Sequence, residues 1–445
     1  MPSLELSMIV KNGESTLARC LESARSVVDE IVIGDTGSTD TTAEIARSYQ
    51  ARIVDVPWQD DFSKARNAAL NQGRCDWVLF LDADELLDSG AAADISQLIR
   101  NEKVYGYDVR IWNYVRTLTN RMLNRPAEPN PHRIDAAKSY PAYVEHTNVR
   151  LFRRHPEIFF EGQVHEGVAD RIKRLGFKVI AANFVIHHLG IAEDEAGVRK
   201  RKTEYYQALG KKKLIDSPDD FRAHYELGLG ELEHFRNPQA ALPYFQRALE
   251  LKPNSNVLWT YAGICYVRMG KLPEGLEALK KAKRLGASDA VHLEAMGDAG
   301  YHMEKIEEAK RSYKAAMAAG SNSSLVQSKI GVCEVRLGSA TAGLQRIQAA
   351  IEREPEFGEL YDILMAAALF AGNSELAAAT SEQRLSIGSP SADSFLISAG
   401  IWSQLGKWDR AAEVVRIGIK TFPQNPNLLS ASAEINQRLA AQERT

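Results

Sequence analysis

The stretch VLFLDADELLD, residues 78–88, runs four apolar residues into three acidic ones, Asp82, Asp84 and Glu85. Two carboxylates flanking Ala83 at the end of a buried strand repel each other unless a cation lies between them. A hard divalent ion, Mg²⁺ or Mn²⁺, satisfies both, because it takes one or two carboxylates together with phosphate oxygens and water. The plainer reading is that Asp84 and Glu85 open the next helix, where acidic side chains suit the dipole. From these residues alone the two readings stand level. Two other clusters invite the same comparison. GQVHEGV, residues 162–168, sets His165 beside Glu166 as a candidate base, or forms a polar turn with a capping glutamate. ANFVIHHLG ends an apolar run on His187 and His188, where an imidazole suits Mn²⁺ and a hydrogen-bonded core histidine is the alternative.

The elements that must position these groups are legible around them. LELSMIV, EIVIGD, ARIVDV and WVLFLD are short apolar runs ending in polar turns, with amphipathic TLARCLESARSV and TAEIARSYQ between them. Strand and helix alternate, which predicts an α/β domain with a mostly parallel sheet and helices on its faces. Ligands of such sheets sit beyond the carboxyl ends of the strands. Polar residues cluster there: Lys11, Asn12 and Glu14 after the first run, residues 35–40 after the second, and residues 82–85 after the fourth. GDTGSTDTTAEIA is a strand end, a tight glycine turn and a helix entry in which Ser38, Thr39 and Asp40 compete for the cap. A carboxylate there can also accept from a nucleobase or ribose, and the free amides face an anion. GxxxxGK[ST] and GxGxxG are both absent, which weakens ATPase and dinucleotide readings.

The second half obeys a different rule. Small residues recur 34 apart at Ala241, Gly275, Ala309, Gly343, Ala377 and Ala411, and Gly270, Gly338, Gly372 and Gly406 fall where a turn between helices needs a permissive residue. Six units cover residues 222–425, followed by a cap helix over 426–445. A charged helical linker over 193–221 joins them to a first domain over 1–192. Between residues 113 and 145 little periodicity is visible, which predicts a long lid or binding loop facing the acceptor.

With 445 residues, 44% apolar and 25% charged, the chain has enough material for two or more cores. A net charge of −3 without a long basic block argues against nucleic acid as a partner. No run approaches the length of a membrane span, and MPSLELSMIVKNGES lacks the features of a signal peptide, so a cytoplasmic location is expected. The four cysteines form no CxxC pair, which argues against a zinc site or a disulfide framework.

The 34-residue period and endings such as ALELKPNS resemble tetratricopeptide repeats, which implies a stacked superhelix that binds an extended peptide or partner protein, or serves structure and homo-dimer formation. LSMIVKNGESTLARCLES, VDEIVIGDTGSTDTTAEIA, VPWQDDFSKARNAAL and WVLFLDADELLD, in that order, resemble a family 2 glycosyltransferase with the GT-A fold, closely over the first 90 residues or so and more loosely to about residue 190. That resemblance implies a UDP-sugar donor, Mn²⁺ or Mg²⁺, and hexosyl or N-acetylhexosaminyl transfer with inversion to a protein or peptide acceptor recruited by the repeats. It also implies roles. Val10, Lys11 and Asn12 would line the nucleotide pocket, with Asp35 and Thr36 near the uracil and ribose. Arg66 and Asn67 would sit near the nucleotide, while Lys64 reads equally as a surface charge. Asp84 would coordinate the metal, and Asp82 would contact it or the ribose. Glu166 would be the base with His165 beside it, and His188 rather than His187 would be a further metal ligand. The alternatives are a repeat scaffold or nucleotide-sugar sensor with a non-catalytic domain, and transfer to a saccharide or lipid carrier.

Overall fold

A computed structural model describes residues 2–116, 121–122, 125–164, 166–190, 196–321 and 323–442. It forms two compact units, Met1–Asn254 and Ser255–Thr445.

The strands of the first unit are β1 (Leu4–Val10), β2 (Glu30–Asp35), β3 (Arg52–Asp55), β4 (Trp77–Phe80), β5 (Glu85–Leu87), β6 (Gly106–Val115), β7 (Arg121–Met122), β8 (Arg125–Pro126), β9 (Glu128–Pro129), β10 (Ala142–Arg153) and β11 (Val179–His188). The helices of the sheet region are α1 (Leu17–Ala24), α2 (Thr42–Ser48), α3 (Phe62–Leu70), α4 (Ala91–Leu98) and α5 (Ala169–Arg174). The main sheet has the order β3-β2-β1-β4-β10-β6-β11-β5, with β9 added to β10, while β7 and β8 pair separately. Strands β3, β2, β1 and β4 run parallel. β10 runs against both β4 and β6, and β11 runs with β6. The two reversals across β10 cancel, so β1, β2, β4, β6 and β11 all end at one edge. The chain grows from β1 outward to β3 and then returns to place β4 on the other side of β1, which opens a crevice at that edge.

Burial follows from sitting inside this sheet. All four residues of β4 are buried because both faces are covered. Trp77 and Leu79 join a core with Leu4, Leu6 and Leu21, and Val78 and Phe80 join one with Phe152 and Phe160. This is the alternation a strand imposes. Helix α3 starts where the Asp61 carboxylate accepts the Lys64 amide, and it turns Arg66 inward.

Two expectations change. Asp84 and Glu85 do not open a helix: Glu85 begins β5, which pairs with the end of β11. The loop expected over 113–145 is shorter, since Asn113 belongs to β6 and residues 142–145 to β10, with β7, β8, β9 and a 3₁₀ turn at Asp135–Ala137 among the described residues between them. Parts of that loop, 117–120 and 123–124, lie outside the described residues. Beyond β11 a helix, Ala196–Asp216, fills the expected linker, and helices Phe221–Leu229 and Pro238–Leu251 close the unit.

The second unit repeats one arrangement. Its helix pairs begin at Asn256, Ala290, Ser324, Gly358 and Ala392, 34 residues apart, before a last helix, Pro426–Gln442. Glycine serves close approach here: a Cβ on Gly343 would lie 2.4 Å from the Gly331 carbonyl oxygen. Gly270, Gly338, Gly372 and Gly406 take positive φ at the turns, and Glu304 takes the same conformation at the turn that lacks a glycine. No helix among the described residues is long and apolar enough to cross a membrane.

Candidate active site

The polar groups gather at the shared edge where β1, β2, β4, β6 and β11 end. The loops after β1 and β2 are tied to each other. The Asn12 carbonyl Oδ1 accepts the Thr39 amide at 2.8 Å, the Ser38 hydroxyl accepts the Asn12 amide at 2.9 Å, and Asn12 holds a positive φ. Asp35 Oδ1 accepts the Gly37 and Ser38 amides, and the Thr36 hydroxyl donates to the carbonyl of buried Val10. These bonds build a rigid rim from residues expected to meet a nucleotide. Lys11 stands exposed on it.

At the end of β4 lies a charged network. Arg66 is buried and donates through Nε to Glu166 Oε1 at 2.5 Å and through Nη2 to Asp82 Oδ1 at 2.6 Å. Arg150 from β10 donates to Glu85 Oε1 at 2.8 Å and lies 3.5 Å from Asp82 Oδ2. Both guanidinium groups lie over the Phe80 ring, at 5.0 and 4.5 Å from its centre. Burial would push the Asp82 carboxyl up, but Arg66 and Arg150 outweigh it and hold the group well below the usual range. Glu85, buried and with Arg150 as partner, goes the other way, to about 7, because burial dominates. Its Oε2 accepts the Asp82 amide and thereby fixes the turn on which Asp82 and Asp84 sit.

Asp84 faces His188, with Oδ2 3.3 Å from Nε2. Strand alternation sends the neighbouring histidine elsewhere: His187 is buried, and its Nδ1 meets the Tyr114 hydroxyl at 2.9 Å. His188 Nδ1 lies 2.7 Å from Asn113 Oδ1, while Asn113 Nδ2 donates to the Val144 carbonyl. The amide orientation makes His188 Nδ1 the protonated nitrogen and leaves Nε2 to face Asp84. Burial opposes charge on His188, but the bond to Asp84 and the neighbouring carboxylates raise it to about 9.

A metal can be tested against these atoms. The donors would be one carboxylate oxygen and, once an ion displaces the Nε2 proton that Asp84 favours, one imidazole nitrogen whose other ring nitrogen is anchored on a carbonyl, an arrangement common around metal-binding histidines. The space beside them is kept by Gly190, where a Cβ would fall 1.8 Å from Asp84 Oδ2. Asp82 does not join the pair, because both of its oxygens face arginines. Among the described residues no three His, Cys, Asp or Glu side chains gather tightly enough to hold an ion by themselves. Asp84 and His188 therefore fit a divalent ion that takes its remaining ligands from phosphate and water, as Mg²⁺ does.

The remaining expected residues fall in several places. Glu166 stands in the network through Arg66, on a loop pinned by the Glu161–Gly167 bridge and by Phe62 donating to the Gln163 carbonyl. His165 lies outside the described residues. Asn67 is not brought to Asp82: its amide donates to and accepts from the Phe160 backbone at 2.9 and 2.8 Å, holding the segment that leads to Glu166. Lys64 is exposed near Asp61. Arg150, Asn113 and the pairing role of Glu85 escaped the reading of the sequence. Arg150 and Asn113 sit in strands 30 to 70 residues away from the DADE segment and carry no local signature.

Residues 6–158 match the glycosyl transferase family 2 model, and residues 204–256 and 232–290 match tetratricopeptide repeat models. A TPR repeat-containing protein of Synechococcus elongatus is 32% identical over 51% of this chain and 52% of its own. The SPbeta prophage-derived glycosyltransferase SunS of Bacillus subtilis is 24% identical over 56% of this chain and 53% of its own. A lipopolysaccharide core biosynthesis glycosyltransferase, LpsC of Rhizobium meliloti, is 30% identical over 38% of this chain and 58% of its own. The chain spans about half the length of these relatives. It carries a family 2 glycosyl transferase domain followed by tetratricopeptide repeats.

Proposed function

We propose that the chain is an inverting glycosyltransferase that takes a hexosyl or N-acetylhexosaminyl group from a UDP-sugar. The observation that carries this reading is the continuous contact Glu166–Arg66–Asp82 beside Asp84–His188, at the carboxyl ends of β4 and β11. A pure scaffold has no physical need for that set, and a sensor that only binds a sugar nucleotide has none for a base at Glu166. Asp84 and His188 would hold Mn²⁺ or Mg²⁺, which supplies charge neutralisation for a leaving diphosphate. Arg66 holds Glu166 through Nε and Asp82 through Nη2, so the base keeps a fixed separation from the turn that carries Asp82 and Asp84. Glu166 takes the proton of the acceptor hydroxyl as its oxygen bonds the anomeric carbon. The bond from that carbon to the diphosphate breaks, and its electron pair leaves with UDP. The rim built on Asn12, Asp35 and Thr36 would receive the uridine.

The repeats over residues 222–425 support a protein or peptide acceptor, since stacked helix pairs offer an extended surface. The likeness to a lipopolysaccharide core enzyme favours a saccharide acceptor as the second reading. Calorimetric titration of UDP, UDP-GlcNAc and UDP-glucose, with Mn²⁺ and with chelator, tests the donor. Metal-dependent binding that Asp84→Ala weakens at least tenfold is expected. Binding of equal strength in chelator would contradict the assigned site.

A further inference from the structure

The helix Ala196–Asp216 is polar nearly all round, which fits a solvated connector and does not explain two adjacent tyrosines in RKRKTEYYQALGKKK. One face of it packs on the next helix, where Gln207 and Leu209 are buried and Gln207 donates to the Leu227 carbonyl. Another face is clasped to the loop that precedes α3. The Tyr205 hydroxyl accepts from Trp58 Nε1 at 2.6 Å and donates to Asp60 Oδ1 at 3.2 Å. Lys212, two turns on, donates to Asp60 Oδ2 at 2.9 Å. Asp60 itself holds a positive φ, an uncommon conformation that aspartate tolerates better than most residues.

The clasp determines where Tyr206 lies. Its ring packs on Phe62, the first residue of α3, at 5.9 Å between centres. Arg66 follows one turn later on α3. The Phe62 amide also donates to the Gln163 carbonyl on the loop that carries Glu166, so the ring of Tyr206 packs at the margin of the charged network, and it remains 43% exposed and so open to a ligand. Asp84 marks the diphosphate end of the proposed reaction and Glu166 the acceptor end. What lies between them during transfer is the sugar.

We propose that this helix is a wall of the active site and that Tyr206 positions the donor's sugar between Asp84 and Glu166. The inference rests on the glycosyltransferase reading above. A tyrosine suits the task because its ring offers an apolar body and its hydroxyl a hydrogen bond at one end. Burial and the surrounding carboxylates push that hydroxyl up to about 12, so it stays a donor at working pH.

The test is calorimetry on the full chain with Mn²⁺, comparing UDP with UDP-GlcNAc and UDP-glucose in the unaltered protein, Tyr206→Ala and Tyr206→Phe. Tyr206→Ala should bind UDP within twofold of the unaltered protein and lose at least tenfold in affinity for the preferred sugar nucleotide. Tyr206→Phe, which keeps the ring, should fall between the two and decides the matter if the alanine variant does not fold. An unchanged ratio of sugar-nucleotide to UDP affinity in these variants, including an equal loss of both, would overturn the role of Tyr206 and leave the glycosyltransferase reading standing. Failure of the unaltered chain to bind any of the three nucleotides with metal would overturn both.

Discussion

The sheet unit and the repeat unit solve the problem of burying polar groups in opposite ways. Around β4 five charged side chains, Arg66, Arg150, Asp82, Glu85 and Glu166, interlock, with each arginine shared between two carboxylates. In the repeats the same tasks recur every 34 residues on small side chains, and charge pairs such as Lys329 with Asp298 and Arg346 with buried Glu334 link one helix to another. A buried ion network is a poor source of stability and a costly thing to break. A stack of repeats spreads its stability over many similar contacts. The difference separates the part built for chemistry from the part built for surface.

Substitutions in each unit put that contrast to the test. The largest effect is expected from Arg66→Met, which leaves Asp82 and Glu166 without their shared cation and should cost about 3–5 kcal/mol in denaturant unfolding of the first unit. A cost below about 1 kcal/mol would mean the network is not the keystone described. Gly343→Leu forces a side chain into the contact with Gly331 and should cost about 1–3 kcal/mol, confined to the neighbouring repeats as read by amide hydrogen exchange.

The pH responses at Glu5 in the first unit and at His292 in the second should have opposite signs, and they are the smallest of these effects near neutrality. Glu5 is fully buried, and burial outweighs its partner Arg154 to raise the carboxyl to about 7, above its unfolded value. Its contribution is therefore present below pH 4.5 and lost as pH rises through about 7. His292 in the repeats is buried and lowered by burial below 6.5, so its contribution is present above that value and lost as pH falls. Hydrogen exchange at both sites across pH 5 to 8 checks the signs, and Glu5→Gln and His292→Gln should each flatten one of them.

The contrast also governs how much was legible in the sequence. LELSMIV and EIVIGD mark β1 and β2 to the residue, because short apolar runs between turn signals are local information. The repeat phase is legible for the same reason. The DADE segment could be located but not oriented: whether Glu85 starts a helix or a strand depends on β11 and Arg150, which arrive from far along the chain. The choice between His187 and His188 needed the register of β11, and that the Asn67 amide pairs with the Phe160 backbone depends on a segment more than 90 residues away. Tyr206 lay in a stretch whose composition reads only as linker.

If Glu166, held by Arg66, is the base of the proposed transfer, Glu166→Gln separates binding from chemistry in a single experiment: turnover of the preferred UDP-sugar measured beside its affinity. Affinity within about threefold of the unaltered chain and turnover reduced at least a hundredfold are expected, the mark of a general base. Turnover at the normal rate would show that Glu166 is not the base.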